Sequence, residues 1–178
     1  MHGLRGFTLI ELLVSMAVLG LVLAMAVPTL SQSRRQTEVK SVQARLLNDL
    51  TRARTDAISR GNPVSLCASS DGSHCDGSWN GWLVFEGPVP NTTTAVVNPI
   101  SQHSISAVAV TANRTQITFA SWGVVDAALE ATLCDGRGEL SNARALQVSA
   151  LGRARTSVDA DNDSVHEAPS SGSALSCG

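Results

Sequence analysis

From Phe7 to Leu30 the chain runs 24 residues with a single charged side chain, Glu11. As a helix this run is about 36 Å long, enough to cross the ~30 Å hydrocarbon layer of a bilayer with some tilt. The helical pattern continues beyond it. Val39, Val42, Leu46, Leu50, Ala53 and Ala57 recur at helical spacing, so they share one apolar face. Arg45/Asp49 and Arg52/Asp56 lie four apart on the other side, where they are expected to form ion pairs. Pro28 removes one backbone bond and is expected to kink the helix without ending it. Gly61-Asn62-Pro63 supplies the stop. One helix of about fifty residues, apolar all round in its first half and amphipathic in its second, constrains everything else.

A charge at the bilayer centre costs roughly 2.5–3.5 kcal/mol, so Glu11 needs a partner. Three readings of the first thirty residues compete. A secretory signal would use Arg5 as its basic flank and Ala24-Met25-Ala26 as its cut. It would gain nothing from the carboxylate. A plain single-pass anchor has Arg34 and Arg35 on its far side, which leaves orientation weakly set. The third reading uses the letters Gly6-Phe7-Thr8-Leu9-Ile10-Glu11, which resemble the processing signal of type IV prepilins and pseudopilins. The resemblance implies that prepilin peptidase cuts between Gly6 and Phe7 and that the new amine of Phe7 is methylated. It also gives Glu11 a partner, since the carboxylate of an incoming subunit can neutralise the Phe7 amine of its neighbour in a filament. Such a desolvated pair is worth much only while both members are present.

After Pro63 the texture changes to short β runs separated by Gly, Asn or Asp turns. Candidate strands are Val64 to Cys67, Trp82 to Phe85, Ile105 to Thr111, Thr115 to Phe119, Leu129 to Cys134 and Ala143 to Ser149. A long loop is expected from about Glu86 to Ser104. The aromatics between Trp79 and Trp122 read as core and strand-packing residues. An antiparallel sheet would cover the amphipathic helix face. The segments "VSLCASSDGSHCDGSWNGWLVF" from Val64 and "TLCDGRGELSNARALQVSALGRARTS" from Thr132 resemble pseudopilins of the GspH/FimT family. That resemblance reaches to about Ser157 and implies an α+β pilin fold. Its parts would be a leader at 1–6, a transmembrane helix at 7–30, its amphipathic continuation at 31–60 and a β domain at 61–158. An acidic, Ser-rich tail at 159–178 stands outside it.

Cys67, Cys75, Cys134 and Cys177 form an even set behind a membrane-targeting segment, which reads as disulfides in an oxidising compartment. Three pairings are open. Cys67–Cys75, closing a short turn, and Cys134–Cys177, tying back the tail, are favoured. Zinc is the rival, but no C-x-x-C is present and His74 is its one loose candidate. Asp159, Asp161 and Asp163 start like a calcium loop, yet Ser164 and Ser170 stand where an EF-hand needs Gly and Glu. No metal or cofactor is expected. No nucleophile lies at a suggestive spacing from His2, His74, His103 or His166, so the chain reads as a peptidase substrate rather than an enzyme.

Gly152-Arg153-Ala154-Arg155 resembles the G-R-x-R motif of FimT-type minor pilins implicated in DNA binding during natural transformation. On an extended segment Arg153 and Arg155 point the same way and can reach phosphates together. The net charge of −2 supplies no general attraction for a polyanion, and the tail acids oppose one. The combined expectation is a minor pilin held in the bacterial inner membrane, its β domain in the periplasm. It would pass into a type IV pilus, help to start assembly and contribute to DNA uptake. Its partners would be prepilin peptidase, other pilins through the N-terminal helix, and DNA. The rival destination is the pseudopilus of type II secretion.

Overall fold

The computed structural model describes residues 7–177, with only the helical backbone described at 24–30. The leader, with Gly6, and the side chains of Ala24-Met25-Ala26 and Pro28 lie outside the described residues. The chain forms two compact units, Met1–Arg35 and Gln36–Gly178.

Helix α1 spans Leu9–Arg60, and Pro28 does not end it. Thr8 sits at its N-cap, where its hydroxyl accepts the N–H of Glu11 at 3.3 Å. Thr8-Leu9-Ile10-Glu11 therefore has the spacing of a capping box, which the sequence reading passed over. Gly61 takes φ +68° just past the last turn, and its N–H bonds Ala57 O, closing the helix in a left-handed cap. Among the described residues no helix is long and apolar enough to cross a membrane. The expected span at 7–30 lies partly outside them.

The β region holds two four-stranded antiparallel sheets, not one. The first has order β3-β2-β1-β5, from Ser101–Ser104, Gly81–Glu86, Val64–Ala68 and Gln116–Phe119. The second has order β4-β6-β7-β8, from Val108–Ala112, Leu129–Asp135, Arg144–Val148 and Ala154–Thr156. β3 falls inside the expected long loop. Its sequence Ser-Gln-His-Ser has no apolar alternation, so its pairing comes from β2, which aligns Trp82 with His103.

All six residues of the amphipathic stripe are buried, and they share one core with side chains from both sheets, including Leu66, Trp82, Ile117, Phe119, Leu133 and Leu146. Each fully buried Leu or Phe contributes roughly 1.5–3 kcal/mol by leaving water. Three polar side chains on the same helix also reach the β region, two at strands and one at turns. Gln43 donates to Ala145 O at 2.8 Å, on β7. Asp49 Oδ2 accepts from Trp82 Nε1 at 2.7 Å and lies 3.1 Å from His103 Nε2. Arg54 donates through Nε to Gly123 O at 3.0 Å and through Nη2 to Leu151 O at 3.2 Å.

Asp49 corrects the expectation of an Arg45 partner. It is only 8% exposed, and its carboxylate is taken by groups 33 and 54 residues away. Arg52 and Asp56 do approach, at 3.7 Å.

Cys67 is bonded to Cys75 and Cys134 to Cys177. Residues 158–177 follow an ordered path, although most of them remain exposed. Bridges Val158↔Glu167 and Glu167↔Ala174 double the segment back, and Leu175 is buried with Cys134, Ala143 and Ala145.

Candidate functional site

Two places answer to the residues singled out by sequence, and each is best built from its own local structure. At the N-terminus, Phe7 precedes the helix and is largely exposed, as are Leu9, Ile10, Leu12 and Leu13. Glu11 is the acidic residue of the first turn, among apolar side chains that include Ile10, Val14, Val18 and Leu19. A carboxylate there opposes the partial positive charge of the helix N-terminus. The Glu11 side chain itself is exposed.

The second place is a groove of about 320 Å³ lined by Thr51, Arg54, Gly152, Arg153, Ala154 and Arg155. β7 and β8 form a hairpin, and the turn between them closes through Gly152 N–H to Ser149 O at 2.8 Å and Ser149 N–H to Arg153 O at 2.9 Å. Gly152 has φ +73°, and a Cβ there would run into Gly123 O and lie 3.1 Å from Arg54 Nε. Only glycine serves at that point. Ala154 packs on the core, which turns its neighbours Arg153 and Arg155 outward together. Among the described residues no carboxylate lies within ion-pair distance of either, and no acid lines the groove.

Sequence reasoning missed two members of this neighbourhood. Arg54 stands in no motif and on no apolar stripe; its partners are turns 69 and 97 residues on, which no local rule reveals. Trp122 was counted with the core aromatics, but it is 73% exposed. A signal was available in Trp122-Gly123, an aromatic before a turn glycine. The remaining aromatics do pack inward. Trp82, Phe85 and Phe119 are buried, and half-buried Trp79 donates Nε1 to Arg114 O at 3.1 Å.

The other candidates have local partners, although Asp159 Oδ1 is buried with none. His74 Nδ1 lies 2.6 Å from Asp71 Oδ2 in the turn closed by Cys67–Cys75. That contact, with the N–H groups of Ser73 and His74, holds the Asp71 carboxyl well below the usual carboxylate range. Asp159, Asp161, Asp163 and Glu167 bring carboxylate oxygens within 4.8 Å of one another. Each also accepts a backbone N–H from the loop, those of Ser164, Asp163, Val165 and Ala160 respectively.

Comparison with known proteins adds three findings. The family model for type II transport protein GspH matches residues 43–152, and that for the prokaryotic N-terminal methylation motif matches residues 1–27. Pilin-like protein PilA1 of Thermus thermophilus is 36% identical over 81 residues, 46% of this chain and 47% of that protein. The chain therefore spans about half the length of this curated relative. The solved structure of the type IV minor pilin FimU of Pseudomonas aeruginosa aligns with a TM-score of 0.53 at 20% identity, covering 66% of this chain and 90% of that one. The minor pseudopilin EpsH of the type 2 secretion system of Vibrio cholerae aligns with a TM-score of 0.52 at 13% identity, covering 67% and 95%. At these identities the two structures establish a shared fold.

Proposed function

The chain belongs to the GspH family and carries the N-terminal methylation motif, and from that premise we propose that it is a minor pilin of a type IV pilus, anchored by its first helix and carried into the filament. The observation that carries this reading is the junction at Phe7. The matched methylation motif, residues 1–27, runs across the start of the helix at Leu9, and the helix opens with Glu11 in its first turn on an exposed apolar surface. A cut after Gly6 leaves an amine on Phe7. Glu11 of the next subunit is the group placed to neutralise it, which sets the stagger between helices and suits a subunit that can sit beneath another.

Mass spectrometry of the processed chain tests the first step. The expected product starts at an N-methylated Phe7; a product starting at Val27 sinks the reading. Glu11→Leu is then expected to be processed normally yet to lose its cross-links to other pilins by about tenfold or more, because an unpaired amine stays buried at the contact. Unchanged cross-linking would remove Glu11 from assembly.

The same subunit is proposed to bind DNA through Arg153 and Arg155, with Arg54 as the floor of the groove. The full chain in non-ionic detergent is expected to shift duplex DNA at low salt, with a log–log salt slope of roughly −2 for two phosphate contacts. Arg153→Gln/Arg155→Gln is expected to lose the shift. Equal binding by both proteins would overturn this part alone. The family match equally favours a second destination, the pseudopilus of type II secretion, where filament contacts would be the same and DNA binding would be absent.

A further inference from the structure

Trp122 stands in a turn closed twice, by Gly123 N–H to Ala120 O and by Ala120 N–H to Val124 O, each 2.8 Å. Gly123 takes φ +82°, and a Cβ there would meet Ile58 Cδ1 at 2.7 Å and Arg54 Nε at 3.2 Å. Its carbonyl is held by Arg54 and touches Gly152 so closely that no Cβ fits between them. The Trp122 turn and the Arg153 turn are therefore clamped against each other, with Arg54 bonded to both. An indole left largely in water stands one residue from this clamp on one side. Arg153 stands one residue from it on the other, and Leu151 beside it is also exposed.

We propose that this surface takes a single-stranded nucleic acid, with an unpaired base stacked on Trp122 and the adjoining phosphates on Arg153 and Arg155. The proposal rests on the DNA reading above and adds which form of nucleic acid is preferred. Arginines alone cannot make that choice, because either form offers them phosphates. An exposed aromatic face can, since the bases of a duplex are already stacked on each other and those of a single strand are free. Charge complementarity favours this occupant over another protein. The groove holds three guanidiniums and no acid, and neither Arg153 nor Arg155 has an ion-pair partner among the described residues.

The test compares fluorescence anisotropy of a labelled oligo-dT 20-mer and a 20-base-pair duplex, using the full chain in non-ionic detergent at low salt. The wild type is expected to bind the single strand more tightly. Trp122→Ala is expected to lower the ratio of single-strand to duplex affinity by about 10-fold, the order of one lost stacking contact, and Trp122→Phe by much less. Equal affinity for both forms, or a ratio unmoved in Trp122→Ala, overturns the proposal while duplex binding lost in the double arginine variant leaves the DNA reading standing. Absence of binding to either form removes both. In a parallel arm, phosphatidylglycerol vesicles whose capture depends on Trp122, with an unmoved oligo-dT ratio, would reassign the surface to anionic lipid and likewise overturn the proposal.

Discussion

Exchanging Cys134 and Cys177 for serine is expected to lower the unfolding free energy by about 4 kcal/mol. The bond joins residues 43 apart, and the chain-entropy relation gives that figure for a loop of this length. Exchanging Cys67 and Cys75, only 8 apart, is expected to cost less, about 2.5 kcal/mol on the same relation. The larger loss also has a visible address. Leu175 is buried against Cys134, Ala143 and Ala145, and its N–H bonds His166 O at 2.9 Å. Without the disulfide, that return of residues 158–177 would be held by two isolated bridges, the small apolar cluster and side-chain bonds such as Ser170 to Glu130. Urea titration followed by tryptophan fluorescence, with both double variants side by side, measures the difference. A smaller cost for Cys134/Cys177 than for Cys67/Cys75 would show that the long loop is already constrained when unfolded.

The second large effect is at Asp49. Asp49→Ala is expected to cost about 3 kcal/mol, since it leaves the fully buried Trp82 Nε1 with no acceptor and removes a charge-assisted bond. Asp49→Asn keeps an acceptor oxygen and is expected to cost less. Trp82→Phe removes the donor itself, so adding Asp49→Ala to it should cost far less than Asp49→Ala does in the wild type. Additive losses in that double-mutant cycle would deny the coupling. A polar joint in an apolar core is conditional in this way, because each partner is expensive only when the other is missing.

These two sites show what a local reading can and cannot see. The disulfide partners were accessible because four cysteines allow only three pairings. The helix was legible for a similar reason: its period repeats within the chain, and every residue of the stripe from Val39 to Ala57 is buried as that period demands. Asp49 followed a local rule too, the i,i+4 pairing with Arg45, and the rule lost. Trp82 offered a buried donor that only the fold brings near. β3 was invisible because Ser101–Ser104 has no pattern of its own, and the division into two sheets because strand order is a long-range property. Arg153 and Arg155 were legible from alternation, whereas Arg54 and Trp122 join them through contacts between distant turns.

Three of the polar ties from the helix to the β region settle a coordinate that oiliness leaves loose. An apolar stripe tells a helix which side to turn inward, but one leucine fills a gap much as the next does, so the rod could slide by a turn. Gln43, Asp49 and Arg54 work like teeth spread over twelve residues, each meeting a different part of the β structure. A slip of one turn, about 5.4 Å, would break all three at once. The helix from Gln36 onward is thereby indexed along its own axis, and any load drawn along it reaches both sheets without play.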